Sequence, residues 1–217
     1  MSYKPVSHFE TKRKNNSLKQ NDSYNNLEES ILDICDVSEK YDDELIKLKN
    51  TRLENANRLI IAQLNINSIR NKFEFLKKNI GYLVDILIIS ETKIDESFPI
   101  SQFLIEGFVD PYRLDRNSTG GGIMIFVRKD IPSKCLKTHF SNDGFENIFI
   151  ELNLRSKVWL LSGSYNPKTL NIEKHLYLIS KNLDYFSSKY ENFILLGDFN
   201  SETNNCQMED FCSTYNK

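Results

Sequence analysis

No stretch of this 217-residue chain approaches the roughly 18 consecutive apolar residues of a membrane-spanning helix. The N-terminal Met1-Ser2-Tyr3-Lys4-Pro5 lacks the apolar run of a secretion signal. Cysteine is scarce: Cys35, Cys135, Cys206 and Cys212 show no C-x-x-C spacing and no paired histidines nearby. That argues against zinc and against a disulfide framework, and it reads as reduced thiols. The expectation is a soluble intracellular protein, in cytoplasm or nucleus, with no membrane partner. An excess of one charge is missing too. The formal net charge is −2, and the segment up to Ala56 carries 9 Lys+Arg and 11 Asp+Glu, leaving 19 of each sign beyond it. This excludes the global basic signature of non-specific nucleic-acid binders, so any such contact must come from a local patch.

The chain does hold material for a core. The hydrophobic fraction is 40%, with 14 Phe and 10 Tyr, enough for one full domain plus an appendage, or for two small domains. Residues 1–26 are polar, rich in Asn, Ser and Lys, and predict a disordered leader. Within 27–56 the texture turns helical. Leu27, Ile31, Ile34, Tyr41, Leu45 and Leu48 recur at steps of three and four, broken by Ser38. Two readings stay open for this stripe over 27–48: a short coiled coil that finds a partner, or an amphipathic helix lying on the following domain.

From 57 to 217 strand and helix patterns alternate. Apolar strands are expected at 59–64, 84–89, 123–128 and 193–197, and further strands at 147–154 and 158–164. A helix capped by Ser68 and carrying Ile69, Phe73, Leu76 and Ile80 should end at Gly81, and a second should span 172–190. This order predicts α/β layers around two packed sheets.

Four strand ends share one pattern, an apolar run followed by a ligand-type residue. They are Gln63-Leu64-Asn65-Ile66-Asn67, Ile89-Ser90-Glu91-Thr92-Lys93, Ser162-Gly163-Ser164-Tyr165-Asn166-Pro167 and Gly197-Asp198-Phe199-Asn200. Layered α/β folds gather their sites where strands terminate. A hard cation such as Mg2+ takes oxygen ligands and needs only one or two protein carboxylates. Glu91 with help from the Asn65 amide suits that economy, Asp198 could orient or deprotonate a water, and Asn200 could hold a phosphate oxygen. Each also has a structural reading: Asn65 as a turn residue, Glu91 as a solvated carboxylate, Tyr165 as a core aromatic and Asp198 as a helix cap. Four ends with complementary chemistry are harder to explain by packing alone.

These segments resemble the endonuclease/exonuclease/phosphatase superfamily, the metal-dependent phosphodiesterases that include abasic-site endonucleases and DNase I. Asn65-Ile66-Asn67-Ser68-Ile69-Arg70, Ser90-Glu91-Thr92-Lys93, and Arg116 followed by Gly120-Gly121-Gly122-Ile123 look most like the endonuclease domain of non-LTR (LINE-type, jockey-like) retrotransposons. The resemblance implies a four-layered α/β sandwich of two mixed sheets with helices outside. It also implies Mg2+ (or Mn2+) as cofactor and DNA as partner. By residue match Glu91 would bind the metal and Asn65 assist there. Tyr165 would contact the scissile phosphate, Asp198 would position or activate the attacking water, and Asn200 would orient the phosphate; Asn67 has no firm assignment.

The chain departs from the family in one respect. A C-terminal Ser-Asp-His motif is absent after Asn200, and the three histidines are His8, His139 and His175. The sequence therefore predicts a domain truncated at its C-terminal end, with nicking activity impaired or lost. Three readings compete: a Mg2+-dependent DNA-nicking endonuclease, a relic that at most binds nucleic acid or protein, and an interaction helix in the leader with a passenger domain.

Overall fold

The computed structural model describes residues 42–201 and 206–215. The expected disordered leader over 1–26 and the first half of the helical stripe lie outside these residues.

The first element, α1 (Asp42–Glu54), is part of that stripe. Leu48 is buried and Leu45 packs beside it in the domain's own core, so this part of the helix lies on the domain. Arg52 follows the same face inward and is 6% exposed. Its Nε donates to Leu83 O at 2.9 Å and its Nη2 to Asp85 Oδ2 at 2.8 Å. Asp85, itself 3% exposed, also accepts from Ile60 N at 2.7 Å and from Arg128 Nη1 at 2.6 Å. The helix is thus keyed to the sheet by a buried, hydrogen-bonded ion pair as well as by apolar contact.

Sheet one contains β1 (Ile61–Asn65), β2 (Ile86–Ser90), β3 (Tyr112–Leu114) and β4 (Ile123–Val127) in the order β1-β2-β4-β3. Helix α2 (Phe73–Asn79) links the parallel pair β1 and β2, and the other pairings are antiparallel. Sheet two contains β5 (Ser133–Phe140), β6 (Glu146–Leu154), β7 (Lys157–Tyr165) and β8 (Asn192–Asp198) in sequence order. Here α3 (Ile172–Ser187) links the parallel pair β7 and β8. A last helix, α4 (Cys206–Tyr215), packs Phe211 and Tyr215 toward α3.

Three apolar clusters separate the layers. One joins α1 and α2 to the outer face of sheet one. A second fills the space between the sheets with Ile86, Ile88, Ile123, Ile125, Ile148, Ile150 and Leu161. The third joins sheet two to α3 through Phe145, Phe149, Ile179, Leu183 and Phe186. The molecule is a four-layered α/β sandwich. Strands β2 and β4 are buried on both faces, which is why they read as unbroken apolar runs. No helix among the described residues is long and apolar enough to cross a membrane.

Several local expectations need correction. Ser68 does not cap a helix: it takes φ +80°, and α2 begins only at Phe73 after Lys72. Helix α3 starts where Asn171 Oδ1 accepts from Glu173 N at 2.7 Å, and it stops at Ser187, short of Tyr190. Strands β3 and β5 and helix α4 were not expected from the pattern.

Candidate active site

Both parallel pairs end in register at the same rim of the sandwich: Asn65 opposite Ser90 in sheet one, and Tyr165 opposite Asp198 in sheet two. Parallel strands place their carboxyl ends side by side, so the four ligand-type ends meet without help from long loops. Two side chains tie the sheets together there, Asn65 from sheet one and Tyr165 from sheet two. Asn65 Nδ2 donates to Glu91 Oε1 at 3.1 Å and to Asp198 Oδ2 at 2.8 Å. Tyr165 donates its hydroxyl to the same Glu91 oxygen at 3.1 Å. Asn65, Glu91, Tyr165 and Asp198 therefore form one hydrogen-bonded cluster.

Asn200 stands beside the cluster. Its backbone N–H donates to Asp198 Oδ1 at 3.1 Å and its Nδ2 to Asn166 O at 2.7 Å. Asn166 completes a clamp, donating from its backbone N–H to Asp198 O at 2.8 Å and from Nδ2 to Phe199 O at 2.9 Å. Its Oδ1 is buried without a partner. Nothing in the Ser162–Pro167 strand-end pattern marks Asn166 for this role.

The loops after these strands are held in unusual backbone conformations. Of the non-glycine residues with positive φ among those described, five lie here: Asn67, Ser68, Glu91, Lys93 and Asn200. Each such residue costs roughly 1–3 kcal/mol and persists only where the surroundings fix it, as functional sites do. Asn67 accepts from Lys93 Nζ, and Lys93 also lies 3.4 Å from Glu91 Oε2.

Electrostatics separate the carboxyls. Burial alone would raise Glu91, but hydrogen bonds from Asn65, Tyr165 and Lys93, with the Lys93 charge, hold it below its ordinary value. It is ionised at neutral pH and ready to accept a cation. Burial, reinforced by the Glu91 charge, pushes the Tyr165 hydroxyl well above its ordinary value, so it stays protonated and able to donate. Glu146, fully buried at the start of β6 opposite Tyr165, is pushed by burial up to about 7 despite the Gly122 N–H and Arg116 beside it. It was missed in the sequence, although the alternation of Ile148, Ile150 and Leu152, extended back one step, puts Glu146 on the inward face.

His175 is fully buried, pairs with Ser164 Oγ at 3.0 Å and is driven by burial down to about 4. It is a neutral structural imidazole, more deeply buried than its helix face suggested. His139 bonds Asn182. Neither hydrogen-bonds any of the five expected site residues.

These two buried groups oppose each other in the pH dependence of stability. Glu146, raised in the folded state, contributes stability below about 4.5 that is lost as pH rises through about 7. His175, lowered in the folded state, contributes stability above about 6.5 that is lost as pH falls toward about 4. Between pH 7 and pH 5 each moves stability by ~2 kcal/mol, in opposite directions. Denaturant melts at the two pH values should show Glu146→Gln losing stability on acidification relative to wild type, and His175→Gln gaining it. The same slope in both variants would contradict these assignments.

The residues fit a hard divalent cation. Two carboxylates converge on one amide, and Mg2+ is commonly held by one or two carboxylates with water completing its shell. No group of three or more His, Cys, Asp or Glu side chains gathers among the described residues, so a soft or all-protein metal centre does not fit. Asn65 as oriented offers a donor to both carboxylates. It sets their spacing, and Glu91 and Asp198 are the carboxylates that would offer oxygens to such a cation.

No curated protein sequence matches the chain. Among solved structures, it is similar to the catalytic domain of human Nocturnin at 16% identity and TM-score 0.51, covering 71% of this chain and 68% of that one. It is also similar to the 3′-5′ exonuclease NExo from Neisseria meningitidis (19% identity, TM-score 0.49, 64% of this chain and 57% of that one). A third is an AP endonuclease from Archaeoglobus fulgidus (18% identity, TM-score 0.41, 64% and 56%). The chain thus spans little more than half the length of the latter two. The model of the Endonuclease/Exonuclease/phosphatase family matches residues 62–214, from β1 to α4. With that match over most of its length, the chain belongs to the Endonuclease/Exonuclease/phosphatase family.

Proposed function

We propose that this domain hydrolyses phosphodiesters with the help of a divalent cation, Mg2+ or Mn2+, and that its substrate is DNA, nicked internally as by the endonuclease of a retrotransposon-like element. One observation carries the reading: Asn65 Nδ2 holds Glu91 and Asp198 together from opposite sheets. Glu91, with Asp198 opposite, would hold the cation, which when bound offsets negative charge on the phosphate oxygens. Asp198 accepts the proton of the attacking water and fixes its line of approach. Tyr165, protonated at all working pH values, donates toward the scissile phosphate as its bond to Glu91 loosens. Asn200, whose backbone N–H bonds Asp198 Oδ1 and whose Nδ2 bonds Asn166 O, would orient a non-bridging oxygen with its remaining amide hydrogen.

The alternative is binding without catalysis. It is favoured by one feature of the described residues: neither His139 nor His175 bonds to the cluster. A positioned acid/base group contributes on the order of 10²–10⁴ in rate. A coiled-coil partner for 27–48 draws no support from the described part, where Leu45 and Leu48 pack into the core. The free Cys135 and Cys212 support an intracellular setting in cytoplasm or nucleus.

Supercoiled plasmid incubated with excess protein should convert to open circles in Mg2+ and not in EDTA. DNA binding with no metal-dependent conversion would favour the binding reading instead.

A further inference from the structure

Four residues on four adjacent strands of sheet two form one row: Phe140 pairs with Glu146, Glu146 with Tyr165, and Tyr165 with Asp198. Directly paired residues project from the same face. That face looks toward sheet one, because Ile148, Ile150, Ile194 and Leu196, in step with the row, line the inter-sheet core. Tyr165 and Asp198 belong to the cluster described above. Glu146 and Phe140 extend it sideways. With neighbouring strands ~4.8 Å apart, Phe140 stands roughly 14 Å from Asp198 along the row, too far for one phosphate to touch both.

Arg116 covers this outer half. Its Nη1 lies 3.4 Å from Glu146 Oε1, and its guanidinium carbon sits 5.9 Å from the centre of the Phe140 ring. The backbone is shaped around the pair. At Gly121 (φ +70°) a Cβ would fall 2.2 Å from Glu146 Oε1 and 2.5 Å from Arg116 Cδ. From the β5–β6 hairpin, the Cβ position of Gly144 lies 3.6 Å from Arg116 Nη1 and 2.9 Å from Pro167 Cγ, two residues beyond Tyr165.

Arg116 is therefore anchored from beneath by a fully buried carboxylate. Its side chain remains 32% exposed, and among the described residues its Nε and Nη2 carry no hydrogen bond. A planar guanidinium fixed along one edge and open along the other matches an anionic oxygen. Phe140, 46% exposed, sets a bare aromatic face beside that cation, the combination on which single strands stack their bases.

We propose that Arg116 and Phe140 form a flanking-nucleotide subsite. Arg116 binds the backbone phosphate next to the one held at Tyr165 and Asp198, and Phe140 stacks the attached base. Glu146 is a positioning residue that orients Arg116 without touching substrate. The subsite rests on the hydrolytic reading above and extends its contact with the DNA strand beyond the scissile phosphate.

The test is fluorescence anisotropy of a labelled single-stranded DNA oligonucleotide in Ca2+ buffer, titrated across salt concentrations. Arg116→Ala should weaken binding about tenfold and lower the salt slope by about one, while Arg116→Lys keeps the slope. Phe140→Ala should weaken binding about tenfold with the slope unchanged. Because Arg116→Ala leaves the buried Glu146 carboxyl with only the Gly122 N–H, Arg116→Ala/Glu146→Gln serves as the second variant, and it should lose affinity and slope to the same extent at close to the wild-type melting temperature. Wild-type slope and affinity in that double variant would overturn the subsite while leaving the hydrolytic reading intact. No oligonucleotide binding by the wild-type protein would also overturn the subsite, while conversion of supercoiled plasmid in Mg2+ reports on the hydrolytic reading separately.

Discussion

Replacing Arg52 with Ala is expected to destabilise the fold by about 3–5 kcal/mol, the usual cost of removing one partner of a buried ion pair. Arg52 and Asp85 have side chains only 7% and 4% exposed. Arg128 Nη1 and Ile60 N–H remain on Asp85 in the variant, which puts Arg52→Ala toward the lower figure. Asp85→Ala should fall at the upper one, because it strands the buried Arg52 and frees Ile60 N–H at once. For a domain of this size the loss corresponds to a drop in melting temperature of roughly 10 °C. Arg52→Lys should recover only part of it, since an ammonium cannot reach Leu83 O and Asp85 with the guanidinium's fixed geometry. Deleting residues 1–56 should lower the melting temperature as well, by removing α1 and its Leu48 contact. Scanning calorimetry of the four proteins checks the set, and an unchanged Arg52→Ala melt would mean that α1 is not docked in solution.

Asp198→Asn is expected to reduce metal-dependent plasmid nicking by on the order of 10²–10⁴. The substitution keeps the shape of the side chain and can still accept from Asn65, but its NH2 then faces the Asn200 N–H, so the fold should lose about 1 kcal/mol, the worth of one hydrogen bond, and stay folded. What is lost is the charge and the ability to take a proton from water. Tyr165→Phe should be milder, roughly 10–100-fold, the range for one hydrogen bond to a charged group. Single-turnover nicking at fixed protein excess separates the two. Equal rates for Asp198→Asn and wild type would remove Asp198 from the reaction.

The sequence showed most clearly what depends on local pattern. Strands β2 and β4 were legible because burial on both faces leaves an unbroken apolar run. The strand ends were legible because polar residues there interrupt such runs. Strand β5 was not legible: a register shift between Cys135 and Lys137 breaks the alternation of Ser-Lys-Cys-Leu-Lys-Thr-His-Phe. Strand β3, with three residues, is too short to show a period. Ser68 misled because its type favours caps while its backbone is held at positive φ by the loop that carries Asn67. The Arg52–Asp85 pair spans 33 residues and is invisible in either local pattern, since a lone Arg on a polar helix reads as solvated. Arg116 was noticed only as part of a motif. Its placement depends on the close approach that Gly121 permits to Glu146, which only the packed sheets reveal.

If Glu91 and Asp198 together hold a divalent cation, isothermal titration of the protein with Mg2+ and Mn2+ will read it. A single site is expected, weakened at least tenfold in Glu91→Gln and in Asp198→Asn, with both variants folded. Because Glu91 is held below its ordinary value by hydrogen bonds from Asn65, Tyr165 and Lys93 against the opposing effect of burial, binding near pH 7 should release no proton from Glu91 itself. Unchanged affinity in both variants, or no binding by the wild-type protein at millimolar metal, would mean that the two carboxylates hold no cation.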